Sequence, residues 1–154
     1  MTQAQHELSL TRLIDAPRAI LYRCWTEPEF IKQWFTPRPW TTPVVEMDVR
    51  PGGSSHMIFR GPEGQEFPND GIFLDIVPNE RLVFTDAYTS AWVPSAKPFM
   101  TGIISLGDEA GKTRYKAAAR HWTEDDKKRH EEMGFHDGWG KATDQLEALA
   151  RTLI

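Results

Sequence analysis

Six strand-like segments follow one another between residues 44 and 120, separated by turn sequences and, after residue 87, by a loop around Trp92, Pro94 and Pro98. They are predicted at 44–49, 55–60, 71–77, 81–87, 100–106 and 112–120. The turns are rich in Pro, Gly and Asn, as in Pro51-Gly52-Gly53 and Pro78-Asn79-Glu80. Closely spaced strands with such turns between them favour an antiparallel meander.

The segments that flank this meander differ from it. A strand is predicted over 7–14 and is followed by two short helices, at 18–25, for which Asp15 is a candidate cap, and at 29–35. After Thr123, a second candidate cap, apolar residues recur every three or four positions, which indicates an amphipathic helix. The members of this stripe are Phe135, Trp139, Ala142, Leu146, Leu149 and Leu153.

The order of these elements predicts an α+β fold in one domain over 1–154, an ordinary length for one domain. We expect a curved antiparallel sheet of about seven strands, wrapped around the long C-terminal helix, because a sheet with one apolar face needs such a cover. A pocket remains wherever the helix does not reach the sheet.

Composition excludes several classes of protein. Eighteen Lys and Arg against 22 Asp and Glu give a net charge of −4, which argues against nucleic-acid binding. No apolar run approaches the ~20 residues that cross a membrane, and residues 1–7 lack the apolar stretch of a signal peptide. The single cysteine, Cys24, excludes an internal disulfide. We therefore expect a cytoplasmic protein without a membrane partner.

Motifs spread along nearly the whole chain resemble the helix-grip superfamily of START, birch-pollen-allergen and polyketide-cyclase proteins (SRPBCC). Within it, they are similar to the branch named after the activator of heat-shock protein 90 ATPase homologue. The matching pieces include Asp15-Ala16-Pro17, Trp25-Thr26-Glu27-Pro28, Trp34-Phe35-Thr36-Pro37, Asp48-Val49-Arg50-Pro51-Gly52-Gly53, Gly61-Pro62-Glu63-Gly64, Val77-Pro78-Asn79-Glu80-Arg81-Leu82-Val83-Phe84, Thr113-Arg114 and Gly134-Phe135-His136-Asp137-Gly138-Trp139.

This resemblance implies a helix-grip fold with a cavity for an apolar or amphipathic ligand. Members of the superfamily include lipid and hormone carriers, polyketide cyclases and aromatases, and domains that assist a chaperone. The eukaryotic activators carry an additional N-terminal domain, which is not found in this sequence. We therefore do not favour a chaperone as partner, although the resemblance leaves that role open.

Aromatic and methionine side chains on the predicted concave face are the candidates for the lining of the cavity. They are Trp34, Met57, Phe59, Phe84, Met100, Met133 and Trp139, with Trp92 and Trp40 on loops near an opening. His121, at the end of the last strand, could reach the mouth of the cavity and act as a general acid or base. The alternative, which we favour, is a capping or core hydrogen bond.

Other polar candidates carry weaker signals. His130 and His136 are six residues apart, about 600° around one helix, so they point to nearly opposite sides, and we expect His130 in a solvated helix start. Asp75 would share a strand face with Phe73, and the sequence leaves open which face, although we favour the external one. We expect Cys24 to be inert packing and Asp48 and Arg50 to face solvent.

These observations favour a protein that binds a small apolar or aromatic molecule, without a cofactor and without covalent chemistry. The alternatives are a cyclase-like, aromatase-like or hydrolase-like enzyme that uses the same cavity, and an interaction protein that assists a chaperone ATPase. A homodimer is left open.

The spacing of His130 and His136, together with a single cysteine, generates a first prediction. The purified protein should hold no stoichiometric zinc, because the chain supplies no set of ligands with zinc-site spacing. Elemental analysis of the protein after dialysis against dilute zinc measures this. One tightly held zinc ion per chain would contradict it.

Overall fold

A seven-stranded antiparallel sheet forms the body of the protein in a computed structural model that describes residues 6–154. Residues 1–5, most of the polar N-terminal segment considered above, lie outside the described residues. The strands of this sheet are β1 (Glu7–Ile14), β2 (Thr41–Met47), β3 (Ser54–Arg60), β4 (Glu66–Val77), β5 (Arg81–Thr85), β8 (Thr101–Glu109) and β9 (Lys112–Arg120). A separate ribbon pairs β6 (Tyr88–Thr89) with β7 (Val93–Pro94), across a 3-10 turn at Ser90–Trp92.

Four helices accompany the sheet, namely α1 (Arg18–Thr26), α2 (Pro28–Trp34), α3 (Glu124–Glu132) and α4 (Phe135–Thr152). The order of strands across the sheet is β1-β9-β8-β5-β4-β3-β2. The two strands that α1 and α2 connect, β1 and β2, are therefore the opposite edges of the sheet. The predicted α+β helix-grip fold, with two short helices after the first strand, is confirmed.

The C-terminal helical region is two helices rather than one. Gly134 lies between α3 and α4 with φ of 94°, in the left-handed region that glycine enters without steric cost. Thr123 caps α3 as predicted, since its side chain accepts a hydrogen bond from the Asp126 backbone N–H at 3.0 Å. The predicted cap at Asp15 is wrong, because Pro17 occupies the N-cap of α1 and no side chain caps it there.

The C-terminal half of α4 packs into the main core. Leu146 and Ala150 are fully buried in the same core as Ile14, Leu21 and Tyr115. A side-chain amide joins α4 to the end of α2: Gln145 Nε2 donates to the carbonyl oxygens of Trp34, at 2.9 Å, and Thr36, at 2.8 Å. Its oxygen accepts from the Arg38 backbone N–H at 3.0 Å, so α4 is fixed to the segment that crosses the sheet.

An irregularity in β4 decides the position of Asp75. The register shifts between Phe73, which is opposite Phe84, and Asp75, which is opposite Val83. A bulge of this kind breaks the alternation of faces, so Phe73 is buried while Asp75 is partly exposed and paired with Arg81 at 2.8 Å. The prediction that the two share a face is therefore wrong, and the preferred external position is right. Within the described residues, none of the helices is long and apolar enough to span a membrane.

Gly102 in β8 provides space for an aromatic ring. It lies directly opposite Phe84 of β5, and a Cβ atom at Gly102 would stand 2.4 Å from Cζ of the Phe84 ring. The ring thus lies flat over the backbone of the neighbouring strand, which only glycine permits. On the same strand, a Cβ at Gly107 would meet only the side chain and backbone of Arg114, at 3.8 Å.

This pair of glycines supplies a matched experiment. Gly102→Ala should lower the free energy of unfolding by about 1–3 kcal/mol, because the added methyl group forces the Phe84 ring out of its position. Gly107→Ala, the same change on the same strand, should alter it by less than about 0.5 kcal/mol. Chemical denaturation of both variants measures the difference. Equal stabilities would show that Phe84 moves without cost.

Candidate functional site

A cavity of about 640 Å³ lies between the sheet and the helices. Its wall combines side chains from all four helices and from the segments that follow α2 and α3 with side chains from the sheet. Large apolar groups predominate, namely Trp25, Ile31, Trp34, Phe35, Trp40, Met47, Met57, Phe59, Ile72, Phe73, Phe84, Phe99, Met100, Met133, Phe135 and Trp139. The volume falls within the ~300–1,000 Å³ typical of small-molecule sites.

Seven of the nine predicted lining residues stand on this wall: Trp34, Met57, Phe59, Phe84, Met100, Met133 and Trp139. Trp40, predicted near an opening, also lies on it. Trp92 and His121 do not. That the residues on the wall hold a ligand stays a prediction.

Trp92 lies on the outside of the protein. It belongs to the 3-10 turn, is 58% exposed, and its ring covers Gly52, with Tyr88 as an aromatic neighbour at 6.2 Å. The prediction that it lines the cavity is wrong, because the ribbon of β6 and β7 carries it away from the concave face.

One side of the cavity is a cluster of aromatic rings, which we call the helix-side cluster and which consists of Trp25, Trp34, Phe35, Phe59 and Phe84. The centroid of Trp25 lies 4.9 Å from Trp34, 5.6 Å from Phe35 and 5.8 Å from Phe84. Most contacts are edge-to-face, the arrangement that aromatic rings favour. The Trp34 indole N–H donates to the Cys24 carbonyl at 2.9 Å, which fixes the Trp34 ring.

A second group of rings, which we call the histidine-side cluster, consists of Phe99, His121, His130, Phe135 and Trp139. The His130 ring lies 4.7 Å from Phe99 and 5.1 Å from Phe135, and Phe135 lies 4.9 Å from Trp139. The Asp86 carboxylate accepts from the backbone N–H groups of Phe99, at 2.8 Å, and Met100, at 3.1 Å, and so holds this stretch against the cavity.

The two histidines of this cluster are bonded to each other. His121 Nδ1 is 2.8 Å from the Phe99 carbonyl oxygen, and His121 Nε2 is 2.9 Å from His130 Nδ1. His121 thus makes the core hydrogen bonds that we favoured for it. His130 is the histidine on the cavity wall, and its predicted place in a solvated helix start is wrong, since only 7% of it is exposed.

Burial alters the titration of several groups here. Burial, and then the proximity of His121, lower the pKa of His130 to about 4, so this ring is neutral at pH 7. Burial raises the pKa of the Cys24 thiol to about 11, which makes it inert as expected. Burial also raises the pKa of Tyr115, whose hydroxyl lies beside the Trp25 indole N–H on the cavity wall.

Residues 6–154 contain no group of three or more His, Cys, Asp and Glu side chains that could hold a metal ion. His130 and His136 lie on different helices, and His136 is exposed, 3.9 Å from Glu131. Asp48 and Arg50 pair with each other at the surface, at 2.7 Å.

Sequence reasoning missed Trp25, Phe35, Phe99 and Tyr115 as parts of the wall. Phe35 directly follows the predicted lining residue Trp34, and Trp25 lies in α1 with Leu21 one turn before it, so the helical repeat could have indicated both. Phe99 follows Pro98 in an irregular segment, and only the long-range bonds to Asp86 and His121 place it.

Solved structures share this architecture closely. A protein of Nitrosomonas europaea is 41% identical, with a TM-score of 0.92 over 95% of this chain and 94% of that chain. A protein of Chromobacterium violaceum is 25% identical, with a TM-score of 0.77 over 93% and 96% of the two chains. A protein of Rhodobacter sphaeroides, 18% identical with a TM-score of 0.85 over 99% and 98%, shows the fold alone. No curated protein matches the chain.

A family model described as activator of Hsp90 ATPase homolog 1-like protein matches residues 15–151. The match begins at the end of β1 and includes α1, α2, the other strands and nearly all of α4. It confirms the resemblance drawn from the motifs. The chain belongs to the activator of Hsp90 ATPase homolog 1-like family, within the helix-grip superfamily.

Proposed function

We propose that this protein binds a small apolar or aromatic molecule in the cavity between the sheet and α4. The cavity itself carries the proposal: it has room for a molecule of drug size, and aromatic and methionine side chains dominate its wall. Burial of apolar surface would supply most of the affinity, at about 25 cal/mol per Å² removed from water. A cytoplasmic location is part of this proposal and agrees with the free thiol of Cys24.

An enzyme of the cyclase, aromatase or hydrolase type is the second candidate. The observation that favours it is His130 on the wall with His121 behind it, because a histidine held by a second polar group is a usual general base. Assay of the bound molecule for conversion separates the two candidates. The family's description supplies a third, assistance to a chaperone ATPase, which rests on that description alone.

Four of the six tryptophans, Trp25, Trp34, Trp40 and Trp139, line the cavity, so ligand entry should be visible in their fluorescence. An apolar dye or a fatty acid should bind with micromolar affinity and quench the emission. Native mass spectrometry of protein from its host provides a second measurement, which should reveal a retained molecule. No change in fluorescence with any apolar probe would contradict the proposal.

Two residues of α4 allow the role of the cavity wall to be distinguished from that of the core. Trp139 is half-buried on the wall, whereas Leu146 is fully buried and off it. Leu146→Ala should cost about 2–5 kcal/mol of stability and leave the affinity for an apolar dye nearly unchanged. Trp139→Ala should cost less stability and weaken the affinity about tenfold, because an aromatic ring on the wall is lost. Equal affinities in the two variants would remove Trp139 from the site.

A further inference from the structure

The buried polar side chains on the cavity wall are few, and they differ in what they can offer a ligand. They are Thr85, Thr143, Tyr115 and His130, together with the indole N–H groups of Trp25 and Trp34. The two indole groups can only donate, and that of Trp34 is already bonded to the Cys24 carbonyl. Thr143 donates to the Trp139 carbonyl at 2.6 Å, and Thr85 is hydrogen-bonded to Thr101 at 3.0 Å. Nε2 of His130, by contrast, makes no hydrogen bond within residues 6–154, and it is not fully enclosed, so it is open to a molecule in the cavity or to water.

The hydrogen bonds of the histidine pair decide what this nitrogen can do. A carbonyl oxygen only accepts, so Nδ1 of His121 must carry the proton that it donates to Phe99. In the neutral pair, Nε2 of His121 is then the acceptor, and Nδ1 of His130 must carry the proton between the two rings. Nε2 of His130 is therefore left with a lone pair and no proton.

We propose that His130 is the hydrogen-bond acceptor of the cavity and that the ligand is an aromatic molecule bearing a hydroxyl group, which donates to Nε2 of His130. This inference rests on the proposed function and names the ligand class for the same site. The rings of Phe99, Phe135 and Trp139, which surround His130 at 4.7–6.3 Å, supply the aromatic surface around that hydroxyl. His121 is a positioning residue, because it fixes the tautomer of His130 without lying on the wall.

The low pKa of His130, about 4, agrees with this assignment because a neutral ring keeps its lone pair at pH 7. An amine or a carboxylate would fit less well among the described residues of the wall, because Arg38, Asp137 and Lys141 are exposed. The half-buried carboxylate of Asp86 already accepts from the backbone N–H groups of Phe99 and Met100. A phenolic or enolic hydroxyl matches both the apolar wall and the unprotonated Nε2 of His130.

Titration with naphthalene and 2-naphthol tests the proposal, because the two probes differ only in the hydroxyl group. Isothermal calorimetry should show that the wild type prefers 2-naphthol by about threefold to tenfold, the effect of one net hydrogen bond. His130→Phe should bind naphthalene at least as well and lose the preference. The control, His136→Phe, replaces an exposed histidine off the wall and should keep it.

The outcomes separate this inference from the proposed function. Binding of both probes with equal affinity by the wild type would overturn the hydroxyl assignment and leave the binding protein intact. Binding of neither probe would overturn both. A preference that persists in His130→Phe would show that another group, such as the Tyr115 hydroxyl, receives the ligand.

The tautomer is measurable without any variant. Nitrogen-15 NMR of the histidine-labelled wild type at pH 7 should show a protonated Nδ1 and a bare Nε2 for His130, and the Nε2 signal should shift when 2-naphthol is added. In His121→Phe, Nδ1 of His130 loses its acceptor, so the tautomers should mix and the preference should fall. A proton on Nε2 of His130 in the free wild type would overturn the proposal.

Discussion

The width of the sheet is the constraint on which the rest of the structure depends. Seven strands spaced ~4.8 Å apart span roughly 29 Å, whereas a helix with its side chains is about 10–12 Å across. One helix, α4, cannot cover such a face. The chain also has to pass from one edge strand, β1, to the other, β2, and α1 and α2 make that crossing. A cavity remains where neither the crossing nor α4 reaches the sheet.

Aromatic rings hold that space open. In the helix-side cluster, Trp25 contacts Trp34, Phe35 and Phe84, so rings from the helices bear on a ring from the sheet. Gly102 allows the Phe84 ring to lie against the backbone instead of standing out into the cavity. Aromatic side chains have few rotamers, so they form a rigid wall. Smaller side chains at the same positions would let the cavity collapse. The volume of the site therefore follows from the same residues that build the core.

The sequence predicts the fold well because its signals are local and repeated. The strands are read from turn residues between apolar runs, and α4 is read from the stripe that includes Trp139 and Leu146. The wall is predicted in part, since a residue on the inner face of a strand, such as Met57, lines the cavity wherever no helix covers it. The prediction of which face a residue occupies fails where the regular repeat fails. The bulge after Phe73 separates the faces of Phe73 and Asp75, and the short ribbon carries Trp92 away from the cavity.

The histidine-side cluster depends on a break that periodicity alone does not reveal. In an unbroken helix, five residues turn through about 140° beyond one full circle, so His130 would point away from the face that Phe135 presents to the sheet. Gly134, with its positive φ, changes the direction of the chain between α3 and α4. The rings of His130 and Phe135 therefore come within 5.1 Å of each other. A histidine that continuous periodicity assigns to solvent thereby meets His121 inside the protein. Gly134, the residue that interrupts the helix, therefore brings the imidazole ring of His130 to the wall of a cavity that is otherwise mostly apolar.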